Sequence, residues 1–150
     1  PYTLSLLFAA DRSLYQERIK ALLERGAVVL SDRYCYSNFA YQFTKGVPLE
    51  WLAEIEKNNI KPDIVILIDV PTETSMKRVQ QLNIEDFTKQ EILARLQRDS
   101  NLLEKTRENY LFLAKNDREA KWFVIDGSQD MGKNHEQIWS IIKKELKIEE

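Results

Sequence analysis

The sequence has one cysteine, Cys35, and one histidine, His135, among its 150 residues. A disulfide within this chain is therefore impossible, and a zinc site built from the usual Cys and His ligands is not supported. The lone thiol fits a reducing compartment, so we expect a cytoplasmic protein. Cys35 is either a nucleophile or a small residue that packs in the interior, and the single distant histidine favours packing.

Long hydrophobic runs and an excess of one charge are also lacking. No apolar run approaches the ~20 residues that span a bilayer, and no signal peptide, repeat or low-complexity stretch is visible. The 22 basic and 24 acidic side chains are interspersed, with a net charge of −2. This pattern argues against a nucleic-acid-binding face and against a polybasic membrane anchor. The length predicts one domain with a substantial core.

Hydrophobic periodicity predicts an alternation of helices and strands. Apolar, β-branched segments predict strands at residues 27–31, 63–70 and 121–125. Amphipathic segments predict helices at residues 2–25, 37–43, 48–58, 71–82, 88–115 with a bend near 99–100, and from 134 onward. Strands that alternate with helices imply a parallel sheet with right-handed crossovers, so we expect an α/β fold, although three strands are few for such a sheet.

Particular residues predict where helices begin and end. Gly26 stands where a C′ glycine ends the first helix, and Ser37 and Asn134 stand where N-caps belong. Thr88 and Glu91 match a capping box, which predicts a helix beginning at Thr88.

Two groups of polar residues are candidates for a site. The strand predicted at residues 27–31 delivers Asp32, Arg33 and Tyr34 to its carboxyl end, where open parallel sheets bind ligands. The carboxylate and guanidinium can reach a metal, a phosphate or each other, so a ligand site and a structural ion pair both remain open. Phe8 and Arg12 are four residues apart on one helix face; Arg12 either snorkels outward or lies in a polar cleft beside Phe8.

Several stretches resemble the thymidylate kinase family and follow one another in the family's order. They are LLFAADR (6–12), SDRY (31–34), SNFAYQ (37–42), KPDIVILIDV (61–70), MKR (76–78) and TRENY (106–110). The resemblance implies a P-loop nucleoside monophosphate kinase-like fold, with three α/β/α layers around a parallel sheet. It also implies transfer of the γ-phosphoryl group of ATP to dTMP with Mg²⁺, no nucleic-acid or membrane partner, and a homodimer formed through helix faces.

The resemblance implies roles for residues near the acceptor nucleotide. Arg33 would bridge the donor and acceptor phosphates, and Arg12 would grip the acceptor phosphate. Asp32 would hold the metal through water or orient Arg33. Phe8 would stack on thymine and Gln42 would pair with one edge of the base, although Phe8 could also be plain core and Gln42 a helix cap. Everything depends on the guanidiniums of Arg12 and Arg33 converging on one phosphate-sized hollow.

Further residues complete the implied site. Tyr34, Asn38 and Tyr41 would line the nucleoside, with Tyr41 alternatively a core residue. Arg78 would be a donor-side arginine that leads into a lid-like region at about 79–95, or else a solvated surface charge. Gln129 would lie in the loop against adenine.

The sequence also departs from the family pattern. No Gly-x-x-x-x-Gly-Lys-Ser/Thr loop occurs among the 150 residues, and Gly132-Lys133 has neither the spacing nor a preceding strand. We therefore expect one partial kinase domain that lacks the N-terminal strand, P-loop and helix, with negligible activity as an isolated chain. The stretch at 83–87 has no arginine, which leaves Arg95 as a candidate lid arginine. An inactive nucleotide-binding scaffold and a kinase for another nucleoside monophosphate remain alternatives.

Overall fold

A computed structural model of the protein describes residues 1–148 and divides the chain into two compact units. Unit 1 consists of Pro1–Asp63 and Lys105–Ala120, and unit 2 consists of Ile64–Glu104 and the chain from Lys121 onward. The described residues form α1 (Tyr2–Leu14), α2 (Gln16–Glu24), α3 (Cys35–Thr44), α4 (Leu49–Glu56), β1 (Ile64–Asp69), α5 (Thr72–Gln81), α6 (Asp86–Arg98), α7 (Ser100–Asn116), β2 (Lys121–Asp126) and α8 (Met131–Leu146). None of the helices in this part of the chain is long and apolar enough to cross a membrane.

Unit 1 is built from α1, α3 and α4, which pack against one another. The packed face of α1 carries the small residues Ser5 and Ala9, both buried, so the helices can approach closely. The apolar stripe predicted for this helix is only partly interior, because Leu7 and Leu14 are 61% and 80% exposed. The core lies instead between α3 and α4, where Leu52 is fully buried.

The first predicted helix is two helices. Tyr15, at φ −102° and ψ −2°, separates α1 from α2. The carbonyl of Arg12 at the end of α1 accepts hydrogen bonds from the Tyr15 N–H at 3.1 Å and from the Gln16 side chain at 2.9 Å. The predicted C′ position of Gly26 is confirmed: its φ is +75°, and Ala27 N–H donates to the carbonyl of Leu22 in a Schellman arrangement.

The strand predicted at residues 27–31 is wrong. This segment is irregular and pairs with no strand among the described residues, and Leu30 is 95% exposed. The composition is typical of a buried strand, but a strand forms only where a neighbour supplies hydrogen bonds. The described sheet consequently has two strands rather than three.

Unit 2 contains this sheet. Strands β1 and β2 are parallel and in register from Ile64 opposite Lys121 to Asp69 opposite Asp126, which confirms the strands predicted at 63–70 and 121–125 to within two residues. Helix α8 packs on β2, where Ile125 is 1% exposed, and α5 packs on α6. Parallel pairing places the two terminal carboxylates at the same sheet edge.

Three residues predicted to cap helix N-termini do not do so. Ser37 lies inside α3, which begins at Cys35, and its hydroxyl bonds to other side chains. Helix α6 begins at Asp86, ahead of the Thr88 capping box. Asp130, not Asn134, caps α8, because its carboxylate accepts hydrogen bonds from the first turn of that helix. The bend predicted near residues 99–100 is confirmed as the break between α6 and α7.

Candidate functional site

One open cavity of about 650 Å³ lies within unit 1. Its volume falls inside the range of roughly 300–1,000 Å³ typical of small-molecule sites. It is enclosed by α1, the start of α2, the segment at residues 29–34 and α3. The lining residues are Leu4, Phe8, Asp11, Arg12, Tyr15, Ile19, Val29, Leu30, Ser31, Asp32, Arg33, Tyr34, Ser37, Asn38, Tyr41, Gln42 and Lys45.

Eight of the ten residues singled out from the sequence line this cavity. Helical spacing explains two of the groups, because positions three or four residues apart share a face of α1 or of α3. The third group comes from the irregular segment that joins α2 to α3. The eight are Phe8, Arg12, Asp32, Arg33, Tyr34, Asn38, Tyr41 and Gln42.

Arg33 is held by its backbone and by two side chains of α3. Its φ of +64° is left-handed, a conformation that costs a non-glycine residue roughly 1–2 kcal/mol. Ser31 Oγ donates to the Arg33 carbonyl at 2.8 Å. The Arg33 Nε donates to Ser37 Oγ at 2.9 Å, and its guanidinium carbon lies 4.9 Å from the centroid of the Tyr41 ring. The guanidinium is thus oriented at the cavity while the residue remains exposed.

Tyr110 of α7 contacts the two side chains that hold Arg33. Its hydroxyl donates to Ser37 Oγ at 2.7 Å, and its ring meets the Tyr41 ring edge-on, with centroids 6.3 Å apart. Burial raises the pKa of the Tyr110 hydroxyl, so it stays protonated and able to donate at neutral pH. Tyr110 falls in a stretch that carries the family resemblance, but nothing in that stretch connects it with Ser37, 73 positions earlier.

Arg12 lines the cavity and is simultaneously paired with a buried acid. Its Nε donates to Glu56 Oε2 at 3.0 Å, and its Nη2 donates to Glu56 Oε1. Glu56 is completely buried, whereas the Arg12 side chain is 13% exposed. Arg12 and Arg33 both line this cavity. The Arg12 guanidinium is nevertheless bound by a buried internal acid, so the expected convergence of two guanidiniums on one phosphate is not shown. That both arginines hold a phosphate stays a prediction.

Two of the lining residues are buried amides, and within the described part of the chain each has an acceptor oxygen without a partner. Asn38 and Gln42 are 2% and 1% exposed. Asn38 Nδ2 donates to the carbonyl of Ser5 and to Glu56 Oε1, both at 3.2 Å. Asn38 Oδ1 and Gln42 Oε1 have no hydrogen-bond partner among the described residues. A buried acceptor without a donor costs about 1–3 kcal/mol.

Tyr34 is fixed by Gln16 of α2. Gln16 Nε2 donates to the Tyr34 hydroxyl oxygen at 2.9 Å, and Gln16 Oε1 accepts from the backbone N–H of Ile60 at 2.6 Å. Burial raises the pKa of Tyr34, and the hydrogen bond from Gln16 opposes that shift. The helix break at Tyr15 therefore has a consequence for the site, since the side chain that follows it orients Tyr34.

Cys35 is not a candidate nucleophile or metal ligand. It is 1% exposed, and burial raises the pKa of its thiol to about 12. A protonated, inaccessible thiol is neither a nucleophile nor a metal ligand at neutral pH, so the packing interpretation is correct. Among residues 1–148, no group of three or more His, Cys, Asp or Glu side chains is arranged to hold a metal ion.

The other two predicted site residues lie in unit 2. Arg78 Nη2 donates to the carbonyl of Gln129 at 3.2 Å, so these two are neighbours. Beside them, the pKa of Asp126 is lowered, mainly by hydrogen bonds from the hydroxyl and N–H of Ser128. Arg95, the candidate lid arginine, lies exposed on α6.

Comparison with known proteins supplies independent information. The model of the family described as Thymidylate kinase matches residues 1–138. A probable thymidylate kinase of Thermococcus kodakarensis is 43% identical over 141 residues, which cover 93% of this chain and 63% of that protein. A probable thymidylate kinase of Pyrococcus abyssi is 39% identical over 144 residues, covering 95% and 65%. Probable thymidylate kinase 1 of Saccharolobus solfataricus is 36% identical over 148 residues, covering 97% and 70%. The chain thus spans just under two thirds of the first two relatives.

Proposed function

Because the chain belongs to the thymidylate kinase family, we propose that this protein transfers the γ-phosphoryl group of ATP to dTMP and gives dTDP. The family's P-loop nucleoside monophosphate kinase-like α/β fold agrees with the helix-rich chain and its small parallel sheet. The observation that carries the proposal is the convergence of eight side chains, from three separate segments, on one cavity. Phosphoryl transfer depends mainly on positioning and charge neutralisation, and this cavity offers both.

Arg33 is the residue we assign to the transferred phosphate. Its guanidinium stands at the cavity, is not paired with an acid within the described residues, and is held by Ser37 and Tyr41. A guanidinium presents several N–H donors in one plane and suits phosphate oxygens of the donor and acceptor together. Lys45 lines the same cavity and adds a second positive charge.

Aromatic and amide side chains form the nucleoside part of the proposed site. Phe8 is 44% exposed within the lining, so its ring face is available for stacking on a base. Tyr34 and Tyr41 would flank the sugar. The unpartnered acceptors of Asn38 and Gln42 would accept hydrogen bonds from the base.

Arg12 makes a smaller electrostatic contribution than the resemblance implies. Glu56 neutralises its charge, so its attraction for a dianionic phosphate is weakened. We assign it a hydrogen-bonding role in the acceptor nucleotide site.

Asp32 is the carboxylate that fits a magnesium ion. It is exposed in the cavity lining, and Mg²⁺ in such sites keeps several waters and takes only one or two protein carboxylates. Bound there with ATP, the ion would neutralise charge on the phosphate oxygens. Asp32 is also adjacent to Arg33 in sequence, so its negative charge affects the electrostatic potential at the Arg33 guanidinium.

Donor binding is the less complete part of the proposed function. Arg78 and Gln129 are assigned to ATP, but the 150 residues contain no P-loop motif to cradle its phosphates. We therefore expect the 150-residue chain to bind dTMP and to show negligible ADP release. Ordinary turnover by this chain in a coupled ADP-release assay would contradict that expectation.

Calorimetric titration of the purified chain tests the nucleotide assignment. We expect saturable binding of dTMP, and weaker binding of dCMP and dGMP. Phe8→Ala should weaken dTMP binding, whereas Phe43→Ala, an exposed phenylalanine outside the lining, should not. Equal affinity for all three nucleotides would favour a broader nucleoside monophosphate kinase, and absence of any binding would refute the site.

A homodimer is also part of the proposed function. Helix α1 exposes Leu6, Leu7 and Leu14, an apolar surface of the kind that helix-mediated dimers bury. Light scattering should give twice the mass of the chain, and Leu7→Asp should reduce it to the monomer value. A monomeric wild-type chain would rule this surface out as a dimer interface.

A further inference from the structure

A single buried carboxylate lies beneath the cavity and binds two of its lining residues. Glu56 is the last residue of α4, is completely buried and is not part of the lining. It accepts hydrogen bonds from Arg12 of α1 and from Asn38 of α3, so it joins two helices that carry the proposed substrate contacts.

All four acceptor positions of this carboxylate are in use. Oε1 accepts from Arg12 Nη2 and from Asn38 Nδ2 at 3.2 Å. Oε2 accepts from Arg12 Nε at 3.0 Å and from Asn59 Nδ2 at 2.7 Å. A buried carboxylate needs such complete pairing, because desolvation of the charge is otherwise strongly unfavourable.

The pairing dictates what the two lining residues present to the cavity. The two-point contact through Nε and Nη2 fixes the plane of the Arg12 guanidinium, and Nη1 makes no hydrogen bond within residues 1–148. The amide nitrogen of Asn38 is directed at Glu56 and the Ser5 carbonyl, which leaves Oδ1 as the group without a partner. Within the described chain, Arg12 thus keeps Nη1, and Asn38 keeps Oδ1, without a hydrogen bond, while their other polar groups are held by Glu56 and the Ser5 carbonyl.

We propose that Glu56 is a positioning residue for acceptor-nucleotide binding, acting through Arg12 and Asn38 without touching the nucleotide. This inference rests on the proposed function. Its chemical content is orientation: with Glu56 in place, the guanidinium and the amide each offer one defined group to the ligand. Without it, Arg12 gains rotational freedom and the Asn38 amide can reverse.

The test uses Glu56→Gln with Glu54→Gln as the matched control. Both positions are on α4, but Glu54 is exposed and, within residues 1–148, pairs only with Lys57. Glutamine at position 56 keeps the volume but places N–H groups against the Arg12 and Asn59 donors. We expect dTMP to bind about tenfold more weakly to Glu56→Gln, and with wild-type affinity to Glu54→Gln. Unchanged or tighter binding by folded Glu56→Gln would overturn the proposal.

A spectroscopic readout separates positioning from general destabilisation. In ¹H–¹⁵N spectra, the Arg12 Nε–H signal should be protected from solvent exchange in the wild-type chain and lose that protection in Glu56→Gln. Backbone amides of α4 should stay protected in both. Loss of protection throughout α4 would show that Glu56 acts on the fold, and would overturn the positioning role.

A second variant decides the matter if Glu56→Gln does not fold. Asn59→Ala removes one hydrogen bond from Oε2 and lies outside the lining, and Asn58→Ala is its exposed control. We expect Asn59→Ala to weaken dTMP binding about threefold relative to Asn58→Ala. Equal affinities would overturn the proposal. Failure of the wild-type chain to bind dTMP would instead refute the proposed function, so the two failures are distinguishable.

Discussion

Substitution of Ser37 should change the orientation of the Arg33 guanidinium without changing its charge. Its Oγ accepts hydrogen bonds from Arg33 Nε at 2.9 Å and from the Tyr110 hydroxyl at 2.7 Å. The Ser37→Ala substitution removes both bonds and leaves Arg33 with the Tyr41 ring at 4.9 Å. It therefore tests whether the guanidinium must be held in place, with its positive charge unchanged.

The expected loss of stability is small. Arg33 is exposed, so solvent screens its bond and we assign it about 0.5 kcal/mol. Tyr110 is half-buried and loses its acceptor, which costs about 1 kcal/mol. Alanine is the better helix former and returns about 0.5 kcal/mol. The free energy of unfolding should fall by about 1 kcal/mol, which corresponds to a decrease in Tm of roughly 2–4 °C for a chain of this size.

The expected effect on dTMP affinity comes from side-chain ordering. Fixing one freely rotating side chain on binding costs about 0.5–1.5 kcal/mol, so affinity should fall between about twofold and tenfold. Calorimetric titration measures it, and Tyr36→Phe is the control because it removes a tyrosine hydroxyl that bonds to Asp117 and lies outside the lining. Tyr36→Phe should lose stability but keep its affinity. The reasoning would be refuted if Ser37→Ala bound dTMP like the wild-type chain, or if Tyr36→Phe lost as much affinity.

Three further predictions concern the rest of the chain. Gly127→Ala should lower the free energy of unfolding by about 1–3 kcal/mol in denaturant titration, because the added Cβ would lie 2.6 Å from a methyl carbon of Ile68; an unchanged free energy of unfolding would contradict this. Cys35 should resist iodoacetamide at pH 8 until the protein is unfolded, and rapid labelling of the native chain would contradict its burial. Stability should also fall as pH rises from about 9, the ordinary thiol value, toward the folded-state pKa of about 12, because the unfolded thiol ionises first; wild-type chain should show a steeper loss than Cys35→Ala.

Local patterns predicted much of the chain, because the signals they use act over a few residues. The carboxyl ends of the strands ending at Asp69 and Asp126, the left-handed glycine at Gly26 and the break near residues 99–100 all depend on neighbours in sequence. The convergence of Phe8 with the residues of α3 was reached through the family resemblance, since spacing within one helix cannot place a second helix against it.

Longer-range partners explain what the sequence did not predict. Glu56 lies 44 positions from Arg12 and 18 from Asn38, and its own surroundings in α4 resemble those of the exposed Glu54. No local pattern distinguishes the buried carboxylate from the solvated one. A signal is present in the opposite partner, because an arginine on a largely apolar helix face needs either solvent or an acid. The two interpretations of Arg12 from the sequence, outward snorkelling and a polar cleft beside Phe8, include no buried acid.

Composition indicates that a segment can be a strand, but pairing decides whether it is one. Residues 27–31 and 64–69 have the same β-branched, apolar character, yet only the second has a parallel neighbour in β2. The first still brings Asp32 and Arg33 to the cavity, because the Schellman turn at Gly26 and the left-handed backbone at Arg33 fix the ends of the segment. The positions of Asp32 and Arg33 therefore depend on the two ends of this segment and not on sheet hydrogen bonds. For this reason both residues line the cavity although the predicted strand does not form.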